Sequence, residues 1–268
     1  MHVVTPSEMR QIDKRAIEEF KILGTVLMEN AALQTVQVIL KHYPKPSKVL
    51  VLAGCGNNGG DALAVARHLF LYGYKTEVVI VSEDGRRPRG DAETNLKVLE
   101  SLETTDSFEN LNSLDSLESI HGDSQSEHLR IHWLQNEVDL NQLFPLLRNA
   151  DLIVEGFFGT GLDRPITGLY KEVIDQINKR TIINKLTNYP KKDDKTGYSD
   201  KNNNVSMPVI SIDIPSGING KTGHVMGSAF KATHTVTYGY LKTGHLLYPG
   251  REYSGKVHVV PISLPNDS

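Results

Sequence analysis

A single cysteine, Cys55, stands among 268 residues. One thiol excludes a disulfide framework within the chain and a multi-cysteine metal site, and it fits a reducing compartment. Neither sign of charge dominates: 29 Lys and Arg face 32 Asp and Glu, a net charge of -3. That balance argues against a dedicated nucleic-acid binder, which carries a basic surplus. No apolar run approaches the ~20 residues of a membrane span. The opening Met1-His2-Val3-Val4-Thr5-Pro6 lacks the basic-then-apolar order of a secretory signal. The histidines are scattered, with only His128 and His132 at H-x-x-x-H spacing, and are read as speaking against a transition-metal site. The glycine-rich loop at 54–61 holds no Gly-Lys-Ser/Thr, so it is not a P-loop. These absences leave a soluble, cytoplasmic protein with neither membrane nor nucleic acid as its expected partner. With 39% hydrophobic residues the chain can still build a core.

What is present alternates between two periods. Thr5-Pro6-Ser7-Glu8 reads as a helix start, with Thr5 as N-cap and Glu8 as its reciprocal partner. Met9, Ile12, Ala16 and Phe20 follow at helical spacing, and Gly24 breaks the run. A second helix is expected from about Val26 to His42, before Pro44 and Pro46. Val49 to Ala53 is a continuous apolar run, the mark of a strand buried on both faces. Helices are then expected near 60–72, 91–102, 140–148 and 168–179. Strands are expected near 76–82, 151–154, 208–214, 233–238 and 256–262. This alternation predicts an α/β fold: a Rossmann-like three-layer sandwich with a mainly parallel sheet, helices on both faces and the two N-terminal helices outside. Polar stretches near 103–130 and 187–206 read as surface insertions in one domain spanning 1–268. Within the first, Leu111, Leu114, Leu117 and Ile120 recur every third residue, as local packing or a short docking helix would require.

Three loops carry chemistry. Gly54-Cys55-Gly56-Asn57-Asn58-Gly59-Gly60-Asp61 joins a strand to a helix and contains G-x-G-x-x-G. Its glycines admit a ligand close to the backbone, and the helix start offers free N–H groups to a phosphate. Two amides and a carboxylate add hydrogen-bonding groups that a plain turn does not need. Cys55 has no histidine nearby in sequence to activate it and reads as a small buried residue. Arg86, Arg87 and Arg89 downstream fit either a 2′-phosphate site or a solvated loop. The second loop, Glu155 to Pro165, follows another strand. The third opens with Asp213-Ile214-Pro215-Ser216-Gly217. In doubly wound sheets the ligand crevice lies outside such strand ends, so Asp213 is read as a site residue. Lys242 and His245 fit a catalytic role or a loop closing the sheet edge.

Taken together, G-N-N-G-G-D with A-R-H-L behind it, F-G-T-G-L, D-I-P-S-G-I-N-G and T-Y-G-Y-L-K-T-G-H…Y-P-G-R resemble the YjeF N-terminal domain family. Its catalytic members are NAD(P)H-hydrate epimerases, and the likeness runs from about Thr5 to Ile262. The resemblance implies a stand-alone epimerase of hydrated NADH and NADPH (NADHX and NADPHX), often a homodimer, working beside a separate dehydratase. It implies that Asn57, Asn58, Gly59, Gly60, Asp61, Gly159, Thr160, Gly161, Leu162, Asp163, Arg164, Pro165 and Asp213 bind substrate. It also implies one potassium ion per subunit held by Asn58, Glu155 and Ser216. Three residues depart from the family pattern: Glu155 stands for the usual Asp, Gly156 for Ala or Ser, and Ala62 for Gly. Asp213 is the expected acid–base residue. The rival readings are an NAD(P)-dependent oxidoreductase and a non-catalytic dimeric scaffold like relatives in mRNA-decapping proteins.

Overall fold

The computed structural model describes residues 2–44, 48–113, 129–187 and 207–265. A two-residue strand β1 (Val3–Val4) precedes α1 (Pro6–Glu18) and α2 (Gly24–His42). The capping box expected at Thr5 is formed: Thr5 Oγ1 accepts from the Glu8 N–H, and the Glu8 carboxylate accepts from the Thr5 N–H at 2.7 Å. Gly24 begins α2 rather than ending α1; the chain turns earlier, where Lys21 takes a φ of 60°.

The sheet elements follow as β2 (Lys48–Ala53), α3 (Asn57–Leu71), β3 (Lys75–Val81), α4 (Asp91–Ser113), β4 (Leu129–Leu134), α5 (Leu140–Asn149), β5 (Leu152–Gly156), α6 (Gly168–Thr187) and β6 (Val209–Ile212). The chain continues through β7 (His234–Tyr238), β8 (Leu241–Lys242), α7 (Gly250–Tyr253) and β9 (Lys256–Val260). Seven strands lie in the order β4-β3-β2-β5-β6-β7-β9, and every neighbouring pair is parallel. The expected parallel α/β sandwich is therefore the observed one. Strand β2 shows why its apolar run is unbroken. Val49, Val51 and Ala53 face a cluster with α2, α3 and α4, while Leu50 and Leu52 face a second cluster with α5 and α6. Period-two alternation sends each side chain into one of two cores.

Helix α2 does more than pack outside the sheet. Its Ala32, Val36 and Ile39 are buried in the same cluster as Val236, Tyr238 and Val260 of β7 and β9, so it covers that half of one face. β1 and β8 form a separate parallel pair, Val3 with Leu241 and Val4 with Lys242. That pairing sets α1 over the carboxyl edge of the main sheet. The polar stretches expected at 103–130 and 187–206 lie largely outside the described residues, Leu114, Leu117 and Ile120 among them. Leu129 and Arg130, read as the end of an insertion, instead open β4, the edge strand paired with β3. Helix α4 also runs on to Ser113, past its expected end at Leu102.

Candidate active site

From β2 the chain winds one way to β3 and β4, and from β5 the other way to β6, β7 and β9. β2 and β5 are neighbours, so their loops part at the switch point and leave a crevice beyond their carboxyl ends. Close backbone packing holds the two loops there. A Cβ on Gly59 would sit 1.9 Å from the Gly54 carbonyl oxygen, and one on Gly156 would sit 2.6 Å from that of Asn58. These glycines let α3 and the two loops interlock. Helix α3 starts at Asn57, earlier than the expected Gly60, and no side chain caps it. Its first-turn N–H groups are thereby left for a ligand.

The crevice opens into a cavity of about 1080 Å³. Asn57, Asn58, Asp61, Gly159 to Pro165 and Asp213 line it; Gly59, Gly60, Glu155 and Ser216 lie behind the wall. Cys55 also lines it, but burial pushes its thiol up and its Sγ lies 3.2 Å from the Arg86 carbonyl, which leaves it unsuited as a nucleophile. The arginines at the mouth are engaged: Arg86 pairs with Asp84, and Arg87 pairs with Glu100 while lying over the Trp133 ring.

The deepest part of the cavity gathers charge. Asp213 sits at φ 62°, a left-handed conformation that costs a non-glycine residue ~1 kcal/mol or more. Neighbours fix it there. Its N–H donates to Val236 O at 2.8 Å, and its carbonyl accepts from His245 Nε2 at 2.9 Å. His245 is 2% exposed, and burial holds it down at about 4, so it is a neutral donor at this spot. The Asp213 carboxylate accepts from Lys242 Nζ at 2.5 Å and Thr237 Oγ1 at 3.0 Å. Lys242, 1% exposed, spends its other donors on Thr237 Oγ1 and Tyr238 O. Burial alone would raise the Asp213 carboxyl. The charge and hydrogen bond of Lys242 outweigh it, with help from His245 and Thr237, and hold Asp213 below the usual aspartate value.

Asp61 has the opposite fate. Burial, then the nearby Asp213 and Asp13, push its carboxyl well above the usual range against the pull of Lys242. Asp13, from α1, is pushed up to about 6 by burial, with Lys242 opposing and Asp213 adding. One cavity thus holds an ionised carboxylate beside a carboxyl kept neutral, a division that acid–base chemistry needs.

Behind the wall, Glu155 is fully buried on β5. It accepts from the Ser216 N–H at 3.0 Å and the Ser216 hydroxyl at 2.6 Å. Ser216 Oγ in turn accepts from the Phe158 N–H at 2.9 Å, and lies 3.1 Å from Phe158 O. No cation pairs with Glu155 among the described residues, and burial raises its carboxyl to about 7 despite the bonds from Ser216. Asn58 faces the same knot. Its Oδ1 lies 3.1 Å from where a Gly159 Cβ would be, and its Nδ2 is buried without a partner. A buried carboxylate with no counter-charge, beside hydroxyl, amide and carbonyl oxygens, is a donor set that fits a weakly hydrated monovalent cation.

Sequence reasoning singled out three loops that meet at the crevice, did not single out Asp13 and left Lys242 between two roles. The signal for Asp13 was an acid between Met9 and Ala16, on the apolar stripe of α1; both neighbours are buried. For Lys242 it was a lysine four residues past the strand that ends at Tyr238.

Residues 24–244 match the family described as YjeF-related protein N-terminus. The chain is 32% identical over 259 residues to an NAD(P)H-hydrate epimerase from Limosilactobacillus fermentum, covering 96% of this chain and 94% of that one. It is 31% identical over 268 residues to a bifunctional NAD(P)H-hydrate repair enzyme from Thermofilum pendens, of which it spans 41%. A yeast protein of known crystal structure shares the fold at a TM-score of 0.65, with 20% identity over 97% of this chain and 88% of that one. Family match, near full-length identity and shared fold agree with the loops that frame the crevice, and the chain belongs to the YjeF N-terminal family.

Proposed function

We propose that the protein interconverts the R and S forms of hydrated NADH and NADPH, an isomerase of nicotinamide nucleotide repair. The observation that carries this reading is the acid cluster at the switch point, with Asp213 held ionised beside Asp61 held neutral. The hydrated ring bears a hydroxyl on the carbon next to nitrogen. Assisted loss of that hydroxyl leaves an iminium ion, and water returns to either face. We assign the first step to Asp61, which donates a proton to the leaving oxygen. Asp213 faces the cationic ring and takes the proton of the returning water, and proton exchange between the two carboxyls restores both for the next turnover. Lys242 keeps Asp213 ionised, and His245 holds its backbone. The N–H groups at the start of α3 suit the diphosphate, and Asn57, Asn58 and the Gly159 to Pro165 loop suit the rest of the dinucleotide. Gly59 and Gly60 act through packing.

The donor set of Asn58, Glu155 and Ser216 suits a potassium ion. Bound there, the ion supplies positive charge that keeps Glu155 ionised and ties the β5 and β6 loops together. The reading further takes 1–268 as one domain and places it in the cytoplasm beside the reduced cofactors. It pairs the protein with a separate dehydratase, since the Thermofilum pendens relative is named bifunctional. It also includes a homodimer, for which the exposed Leu246-Leu247-Tyr248 run offers an apolar surface. Among the described residues no helix is long and apolar enough to cross a membrane.

The test supplies the R epimer together with a dehydratase specific for the S epimer and follows the return of NADH or NADPH. Asp213→Asn, nearly isosteric, is expected to keep the fold and slow epimerisation by ~10²–10⁴-fold. A rate within a few-fold of wild type removes Asp213 from the chemistry, and no turnover by the wild type removes the function.

A further inference from the structure

Histidines far apart in sequence meet at the opposite end of the sheet from the cavity. His42 ends α2, His234 begins β7 and His258 lies in β9. None of them lines the cavity. On the paired strands Val236 stands opposite His258, so His234 and His258 are diagonal neighbours on one face, under the end of α2. Their ring centroids lie 4.6, 5.1 and 5.2 Å apart, and one ring nitrogen from each falls within 4.8 Å of the other two. We infer that His42, His234 and His258 form a binding site for a transition-metal dication such as Zn²⁺, which clips the end of α2 to strands β7 and β9.

Imidazole chemistry supports the assignment. His42 Nδ1 lies 2.9 Å from the Val38 carbonyl, so the Nδ1–H donates and Nε2 keeps its lone pair. That outer hydrogen bond fixes the tautomer and aims the ring, as in ligating histidines. His234 Nδ1 and His258 Nε2 are 2.9 Å apart and share one proton. Tetrahedral zinc at ~2.1 Å from each nitrogen needs them ~3.4 Å apart, a shift of about half an ångström. The shared proton moves to the far nitrogen of its own ring, so both imidazoles stay neutral and both lone pairs meet the ion. His42 and His258 are partly exposed, which gives the ion a way in and leaves the fourth position to water. Three imidazole nitrogens with no carboxylate among them suit a borderline ion and disfavour a hard one. The histidines come from three separate elements, so no local spacing announces them. The expectation of no transition-metal site rested on local spacing alone.

The experiment uses tag-free protein stripped with chelator. Zinc is titrated by calorimetry, thermal unfolding is followed with and without zinc, and cobalt is added as a spectroscopic probe. The expected result is one zinc per chain, a higher melting temperature in zinc but not in magnesium, and intense visible bands of tetrahedral cobalt. His42→Gln and His258→Gln are each expected to weaken zinc binding at least tenfold and to abolish the melting shift. If His258→Gln fails to fold, His42→Gln at the helix end decides alone. No saturable binding, or zinc binding and a melting shift that persist unchanged in the folded variants, overturns the site.

Discussion

Replacing Lys242 by Met takes away the ammonium that faces Asp213. The side chains are 1% and 14% exposed, so water replaces little of what is lost. Breaking a buried pair by removing one partner costs ~3–5 kcal/mol while the other must stay charged. Asp213 escapes part of that by taking up a proton, so the cost depends on pH. In the wild type its carboxyl lies below the usual value. Its share of stability is therefore present above the unfolded value of about 4 and is lost only as pH falls through the lower folded value. In the variant, burial raises the carboxyl instead, so stability is lost as pH rises above about 4, at up to ~1.4 kcal/mol per unit. Urea unfolding at pH 5 and pH 8 is expected to show a small deficit at the first and a deficit of ~3–5 kcal/mol at the second. Lys242→Met combined with Asp213→Asn removes both charges and is expected to be more stable at pH 8 than Lys242→Met alone. Residual epimerase activity of Lys242→Met is expected to climb with pH as Asp213 ionises. Equal deficits at the two pH values, or a double variant no better than the single, would refute the charge argument and leave packing as the role of Lys242.

Two further predictions concern the knot behind the wall. Glu155→Gln keeps its hydrogen bonds: the amide oxygen accepts from the Ser216 N–H, the amide nitrogen donates to Ser216 Oγ, and that hydroxyl turns to Phe158 O, 3.1 Å away. Because the wild-type carboxyl is raised from 4.5 to about 7, its share of stability is lost as pH rises across that window. At pH 8 in a bulky organic cation the variant is expected to outlast wild type, with convergence at pH 5. Potassium is expected to stabilise wild type alone, and identical melting of both proteins in both salts would remove the ion. Gly156→Ala would place its Cβ 2.9 Å from the Ala62 Cβ and 2.6 Å from the Asn58 carbonyl, an overpacking cost of ~1–3 kcal/mol. Ala62→Gly is expected to recover part of it, and a coupling below ~0.5 kcal/mol in a double-mutant cycle would show that the two departures from the family pattern are independent.

The parts of the fold legible in sequence were those where one period dominates. The run from Val49 to Ala53 reads as a two-faced strand because both faces meet a core, and Thr5 to Glu8 reads as a cap because its hydrogen bonds are local. Strand β4 escaped because it lies at an edge, where only Leu129 and Leu134 are buried and Arg130, His132 and Trp133 look outward in part. The site divides the same way. Loops at strand ends are readable from glycines and polar residues, although Gly59 and Gly156 turn out to serve backbone packing at the switch point. Asp13, Lys242 and the histidine cluster were not readable in detail, because each acts through residues distant in the chain.

The short pairing of β1 with β8 carries a consequence for how the molecule assembles. Val3 and Val4 find their partners only at Leu241 and Lys242, almost the whole chain later. Closing so long a loop comes late in folding, since the entropy of closure is spent before the pairing returns anything. A chain emerging from the ribosome exposes β2 to β6 and their helices before Lys242 follows. Until then α1 has no strand to hold it over the sheet, and Asp13, Asp213 and the lysine that restrains them have not met. The charged cavity is thus completed late, after the strands and helices of the first half of the sheet are in place.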